Sequence, residues 1–156
     1  MANNMSDYLE GLLIGYLFRT STTLTTKPTT IAVALATSTL TDASTGTLGA
    51  SEPATANAYQ RLNGEGGQGT GNVNPLDANW AAPSGNNGTT SNSNVLTFPT
   101  CTTAPWGSIT DVAICDNVTR NAGNIWFYGA LSSAKTVGVG DIFRFNANTL
   151  QVQLDG

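Results

Sequence analysis

The chain has 156 residues, enough for one domain with its own core, and only 10% of them are charged, against about 25% in an average protein. The net charge is -4, and the 6 lysines and arginines are scattered, whereas nucleic-acid binding relies on clustered cations that displace counterions from phosphates. The chain contains no histidine, the commonest general base and metal ligand. We therefore expect no enzymatic activity, no metal, no cofactor and no nucleic-acid partner.

The first predicted element is a short helix in an N-terminal arm formed by residues 1–20. Ser6 or Asp7 can cap the free N–H groups of its first turn, and Glu10 lies favourably at the positive end of the helix dipole. Apolar residues follow at three- and four-residue spacing and form one broad face. They are Tyr8, Leu9, Leu12, Leu13, Tyr16 and Leu17. This face either covers one end of the chain's own sheet or binds a neighbouring subunit, and it is our candidate interface.

Two strands separated by a long loop are predicted next. Between Ile31 and Leu35, large apolar residues alternate with alanines, which indicates a strand buried on one face and nearly so on the other. Ser38–Ala56 consists almost entirely of Thr, Ser, Ala, Gly and Pro, as expected of a surface loop. A second short strand is predicted over Ala58–Leu62.

Residues 63–94 form a long segment dense in glycine and asparagine. Loops of this length within a domain usually have a function of their own. We interpret the segment as an insertion that can wrap onto a neighbouring subunit. Trp80 interrupts it and is expected to pin the loop by burying its ring, and this residue joins the candidate interface.

The C-terminal part has the pattern of a β meander with turn residues between short strands. The predicted strands are Val95–Phe98, Ile109–Asp116, Ile125–Leu131, Asp141–Phe145 and Leu150–Leu154. In the third, Trp126, Tyr128 and Ala130 are expected on one face and Ile125, Phe127 and Leu131 on the other. The sequence thus predicts one all-β domain over residues 1–156. Its expected architecture is an antiparallel, jelly-roll-like β-sandwich with one short N-terminal helix and long Gly/Asn/Thr-rich loops.

A pair of carboxylates, as in glycoside hydrolysis, is the catalytic arrangement that the missing histidines leave open. Asp111, Asp116, Asp141 and Asp155 lie in or near predicted strands. Asp111 lies mid-strand and could be an inward-facing acid, but it is rather expected to face solvent or to pair with Arg144 across the sheet. No Asp-x-Asp-x-Asp spacing supports a calcium site. We therefore assign no catalytic or metal-binding residue.

The two cysteines, Cys101 and Cys115, lack metal-ligand spacing and have no histidine companions. The N-terminus also lacks the features of a secretory signal, and its apolar stretch is too short and interrupted to span a bilayer. The two thiols could form one disulfide, but nothing in the sequence requires it. We therefore expect two buried, reduced thiols, assembly in a cytoplasm and no membrane partner.

Ten short motifs, distributed over most of the chain outside residues 63–94, resemble a family of small phage and prophage virion proteins. They are Ser6–Glu10, Ile31–Leu35, Thr41–Ala43, Tyr59–Arg61, Trp106-Gly107, Ile114–Asp116, Phe127–Leu131, Lys135–Val137, Gly140-Asp141 and Phe143–Phe145. Proteins of this kind are described as phage tail fibre proteins, and similar small β domains act as capsid decoration, or cement, proteins. The resemblance implies a non-catalytic structural protein of the bacteriophage virion.

Three roles remain open at this point. The chain has no internal repeat of the kind that builds a fibre shaft, which favours a capsid decoration protein that binds the major capsid protein on the outside of the head, and we expect it to be a homo-oligomer. The alternative is a tail or tail-fibre component that binds other tail proteins and takes part in host attachment. The third is a carbohydrate-binding module in which Trp80, Trp106, Trp126 and Tyr128 form a sugar platform.

Overall fold

A computed structural model describes residues 4–19, 30–63, 69–74, 78–84 and 88–154 of the chain. The helix α1 spans Asp7–Phe18, and two 3-10 turns span Gly49–Ser51 and Thr55–Asn57. The strands are β1 Asn4–Met5, β2 Ala32–Ala36, β3 Thr90–Ser91, β4 Leu96–Thr97, β5 Gly107–Cys115, β6 Ile125–Val137, β7 Arg144–Phe145 and β8 Gln151–Val152.

All strand pairs in the described part of the chain are antiparallel. The main sheet has the order β1-β6-β5-β2, and two smaller sheets pair β3 with β8 and β4 with β7. The prediction of an all-β fold with one N-terminal helix is therefore confirmed. The long hairpin of β5 and β6 forms the centre of the main sheet.

The strand β2 is buried along its whole length because it has apolar residues on both faces. Val33 and Leu35 belong to the larger of two apolar clusters, whereas Ala34 and Ala36 belong to the smaller one. The strand pairs with β5 in the register Ala34 opposite Ala113. The alternation of large and small residues thus places a thick core on one side of the sheet and a thin one on the other.

Aromatic rings dominate the larger cluster. Tyr59 stacks on Phe98 with ring centroids 6.2 Å apart, and Trp106 meets Tyr59 edge to face at 5.3 Å. Phe143 continues the series with an edge contact to Phe98 at 5.8 Å. Such contacts are worth about 0.5–1.5 kcal/mol each beyond the burial of their area. They join the loop before β3, the end of β4 and the segment before β7 to one another and to Trp106 at the start of β5.

The predicted faces of β6 are wrong at its start because the strand contains a bulge. Ile114 of β5 lies opposite Phe127, but the next residue, Cys115, lies opposite Ile125, so Trp126 is an extra residue in β6. Ile125 consequently belongs to the smaller cluster and Phe127 packs against the larger one. The expectation that these two side chains share a face fails because a single extra residue reverses the alternation.

The predicted strand over Ala58–Leu62 is also absent from this part of the structure. Ala58 has a left-handed backbone with φ of 63°, and only Leu62 forms a bridge, to Val33 of β2. The chain is held here by side chains. The Tyr59 hydroxyl accepts a hydrogen bond from the Leu35 N–H at 2.9 Å and donates one to Glu52 Oε1 at 3.0 Å.

Part of the predicted insertion over residues 63–94 forms strand structure. Thr90–Ser91 is the strand β3, and Thr70 forms a bridge with Thr97 at the end of β4. The segment is therefore tied to the β sheets at several points. Residues 64–68, 75–77 and 85–87 lie outside the described residues.

A buried ion pair lies within the segment between β2 and β3, and its arginine also binds the hairpin turn between β5 and β6. Arg61 Nε lies 2.7 Å from Glu52 Oε1, and both side chains are fully buried. The same guanidinium donates to the backbone oxygens of Asn117, Ala122 and Gly46 at 3.0, 2.8 and 2.6 Å. The two buried charges are thus paired within the fold, as burial of a charge requires.

Candidate assembly surface

The helix α1 is fixed at its N-terminus by the cap that the sequence predicts. The Ser6 hydroxyl accepts a hydrogen bond from the Leu9 N–H at 3.3 Å and donates to the Ile125 carbonyl oxygen of β6. The Ser6 N–H donates to the Trp126 carbonyl oxygen at 3.1 Å, and the Asp7 N–H donates to that of Asp42 at 3.0 Å. The first turn is therefore attached to the main sheet and to the loop after β2.

One side of α1 packs within the chain. Leu9 is buried, and Leu12 and Leu13 are half-buried. Gly15 is buried as well, so the backbone of the helix approaches its neighbours closely at this position. This side makes the helix part of the fold, as one of the two sequence-based interpretations expected.

The other side of α1 exposes large apolar side chains. Ile14, Leu17 and Phe18 are 58%, 65% and 77% exposed. Their spacing of three and four residues places them on one face of the helix, which we call the outer face. No charged residue occurs between Gly11 and Phe18. An apolar patch of this kind on a small protein is typical of a protein–protein contact.

The predicted interface residues divide between these two sides. Leu17 lies on the outer face, and Tyr8 and Tyr16 are 40% and 54% exposed. Leu9 is buried within the chain and cannot contact a partner. The sequence interpretation did not include Ile14 and Phe18. The sequence does show that α1 has apolar residues on more than one side. An apolar face therefore remains exposed after another has packed within the chain.

Trp80, the remaining predicted interface residue, is half-buried and packs against the larger cluster. Its indole N–H donates to the Val73 carbonyl oxygen at 2.8 Å. The expectation that it pins its loop is therefore confirmed. Trp80 also lines a small apolar pocket together with Trp126, whose indole nitrogen is buried without a hydrogen-bond partner among the described residues.

A second, polar groove of about 590 Å³ lies between the end of β6 and the segment around β7. Lys135, Asp141 and Arg144 contribute charged groups to its walls. The aromatic residues in its lining, Phe143 and Phe145, are 7% and 9% exposed. A sugar platform needs an exposed ring face, and these rings do not offer one.

Of the four aromatic residues proposed for a sugar platform, only Trp80 and Trp126 line a common pocket, and Trp106 and Tyr128 are not part of it. Trp106 is 4% exposed and donates its indole N–H to the Asn57 carbonyl oxygen at 2.8 Å. Trp126 and Tyr128 are half-buried on β6. The carbohydrate-binding role therefore gains no support from the described residues.

The carboxylates considered for catalysis hold loops in place. Asp111 is buried and Oδ1 accepts a hydrogen bond from the Leu40 N–H at 3.3 Å, so the expectation that it faces solvent or pairs with Arg144 is wrong. Asp116 accepts from the Asn124 N–H and side-chain amide, and Asp141 from the Gly138 N–H. Asp155 lies outside the described residues.

Neither a metal-binding cluster nor a membrane-spanning helix is found where the structure describes the chain. No three His, Cys, Asp or Glu side chains of the described ranges lie together in a way that could hold a metal ion. Over the same ranges, no helix has the length and apolar character needed to cross a bilayer.

The two cysteines lie in different apolar clusters, Cys101 in the larger and Cys115 in the smaller, and they are not bonded to each other. Burial raises the pKa of the Cys115 thiol from 9.0 to about 12, against the opposing effect of the Arg61 charge. Burial, followed by the charge of Glu52, raises the pKa of Tyr59 well above its usual 10.0. Both groups are therefore held in their neutral forms and are unsuited to act as nucleophiles.

The protein has an all-β fold and exposes the apolar outer face of α1 to solvent. These two features are typical of small structural subunits of protein assemblies. A family model described as Podophage GP4 fiber I protein gp80 matches residues 4–153 of the chain. The chain therefore belongs to this family of phage fibre proteins, and it is a structural component of the phage virion. No curated protein matches its sequence.

Proposed function

We propose that the protein is a non-catalytic subunit of a phage fibre, held in the virion through the outer face of α1. The observation that carries the proposal is the exposure of Ile14, Leu17 and Phe18 on one side of a helix that is firmly attached on the other. In a free monomer this apolar face would stay in contact with water and lower the solubility of the protein, whereas contact with a partner would bury it.

The chemistry of the surface favours apolar burial over charge as the basis of attachment. Apolar burial stabilises an interface by about 25 cal/mol per Å² removed from water. Ion pairs at a protein surface contribute about 0–1 kcal/mol each, and only 10% of this chain is charged. Attachment through the outer face is therefore expected to be insensitive to salt.

The name of the family supports a fibre over the capsid decoration role that the missing repeats favoured. We accordingly expect the partners to be other fibre or tail proteins. Binding to the major capsid protein stays a prediction, and the location of the protein on the particle distinguishes the two roles.

The test is to grow phage that encode variant chains and to measure how much protein each purified particle carries. Leu17→Asp and Phe18→Asp should remove the protein from particles while the purified variants keep their β-type circular dichroism. Val139→Asp is the matched control, because Val139 is 58% exposed but lies far from α1 in sequence, and this variant should be incorporated normally. Normal incorporation of both helix variants would overturn the proposal.

Labelling wild-type particles with an antibody against the protein gives its position by electron microscopy. Label on fibres agrees with the proposal. Label spread over the head would instead support the capsid decoration role.

A further inference from the structure

A small apolar pocket opens between the main sheet and the β3–β8 pair. Its volume is about 260 Å³, and its lining, which includes Trp80, Thr90, Trp126, Ile114 and Val152, has no charged residue. A cavity of about 150 Å³ with apolar walls is large enough to bind benzene. The pocket is therefore large enough for the ring of a phenylalanine side chain.

The chain has an exposed phenylalanine side chain at the end of α1. Phe18 is 77% exposed at the end of α1, next to Leu17 on the outer face. It does not occupy the pocket of its own chain, whose walls are formed by other residues. Neither the pocket lining nor the residues from Gly11 to Phe18 carry a charge, so the two surfaces can meet without burying an unpaired charge.

The two surfaces lie on different sides of the main sheet. Ile114 and Val152 of the pocket belong to the larger cluster. The first turn of α1 is instead attached at Ile125, since the Ser6 hydroxyl donates to the Ile125 carbonyl oxygen and the Ile125 side chain belongs to the smaller cluster. Two different patches on opposite sides of a chain suit head-to-tail association between copies.

We propose that Phe18 of one copy enters the apolar pocket of a second copy, so that the chains associate head to tail. This inference rests on the proposed function, because it names the partner of the outer face. A head-to-tail pair as a whole retains one unused helix and one unused pocket, and the contact therefore repeats until a ring closes or an array ends. Such an arrangement suits a fibre subunit.

The contact is expected to be weak between two free chains. Phe18, Leu17 and Ile14 together offer on the order of 300 Å² of exposed side-chain surface, less than the roughly 800 Å² per partner of a standard interface. Self-association should accordingly be measured by sedimentation over a wide range of protein concentration.

The decisive experiment is a complementation test between two variants. Phe18→Asp removes the inserted side chain and keeps the pocket, whereas Thr90→Trp fills the pocket and keeps Phe18. The wild type should show an average mass that rises with concentration, and each variant alone should stay monomeric. A mixture of the two should form dimers and nothing larger, because each pair retains one productive contact.

Thr90→Val is the matched control for the pocket, since it removes the hydroxyl without filling the space, and it should associate as the wild type does. Symmetric pairing of one α1 with another would leave Thr90→Trp fully able to associate, and that result would overturn the inference. A wild-type chain that stays monomeric at every concentration would overturn it as well.

A second pair of variants keeps the inference testable if Thr90→Trp fails to fold. Phe18→Cys mixed with Thr90→Cys should give a disulfide between the two variants on oxidation, and absence of this cross-link in a folded mixture contradicts the proposed contact. If Phe18→Asp is lost from particles but no self-association or cross-link is found, the proposed function stands and the head-to-tail contact does not.

Discussion

Arg61 shows how much of this fold depends on one side chain. It binds Glu52 through two nitrogens, at 2.7 and 2.9 Å, and three backbone oxygens from two other segments. Glu52 in turn accepts hydrogen bonds from Tyr59 and from the Asn121 N–H. Since the side chains of Arg61 and Glu52 are both fully buried, the loss of one charge leaves the other without compensation.

Replacing Glu52 by glutamine should therefore destabilise the protein strongly. The side chain keeps its size, but Arg61 loses its counter-ion, and we expect the free energy of unfolding to fall by about 3–5 kcal/mol. Urea denaturation at neutral pH measures the change. Arg144→Gln is the control, because Arg144 is exposed, and it should change stability by less than about 0.5 kcal/mol. Equal effects of the two substitutions would contradict the role assigned to the buried pair.

The buried thiol of Cys115 is expected to make the free energy of unfolding depend on pH in the alkaline range. Its pKa is raised by burial from 9.0 to about 12, so the folded protein holds the thiol proton after the unfolded chain has released it. The resulting stabilisation is complete below pH 9 and is lost as the pH rises from 9 towards 12, by about 1.4 kcal/mol per pH unit. Cys115→Ala should lose stability less steeply over this range than the wild type, as measured by denaturant unfolding at several pH values. Parallel curves for the two proteins would show that the thiol does not titrate in this way.

At the scale of elements, α1 has two sides with different roles. Leu9 is 5% exposed and packs within the chain, whereas Leu17 is 65% exposed on the outer face. Since both residues are leucines of the same helix, substituting each one separately distinguishes packing within the chain from contact with a partner. The apolar pattern alone did not distinguish these sides, because a helix with apolar residues all around gives no preferred face.

Leu9→Ala should lower the free energy of unfolding by about 2–5 kcal/mol, the usual cost of removing a buried leucine side chain. Leu17→Ala should change it by less than about 0.5 kcal/mol, because Leu17 has little packing to lose. Denaturation of both variants by urea provides the comparison. A large loss of stability in Leu17→Ala would mean that the outer face packs within the chain and is not available to a partner.

At the scale of the whole molecule, the low charge content determines how the protein responds to salt. An increase from about 0.1 to about 1 M salt shortens the Debye length from about 10 to about 3 Å and weakens contacts based on charge. Because the outer face has no charged residue from Gly11 to Phe18, attachment to particles should be unchanged over this range. The measurement is the amount of protein retained on purified particles after washing. Release of folded protein within this salt range would show that charge holds it in place.

Several elements could be predicted from the sequence because local residues determine them. Ser6 caps α1 as its hydroxyl and position suggested, and the alternation from Ile31 to Leu35 correctly predicted a buried strand. The long β5–β6 hairpin followed from two apolar strands joined by a turn, in which Asn121 and Gly123 both have positive φ. The family resemblance to virion proteins likewise rested on short local motifs, and the family match over residues 4–153 agrees with it.

The tertiary structure decided what depends on residues far apart in the chain. Arg61 is buried because Glu52, Asn117 and Ala122 surround it, and no local pattern marks that arrangement. The side of α1 that faces outward depends on which side β6 covers. The sequence by itself determined an all-β protein with few charged residues and an apolar N-terminal helix. Packing between distant segments decided which face of the helix stays exposed, because burial of one face leaves only the other free to meet a partner.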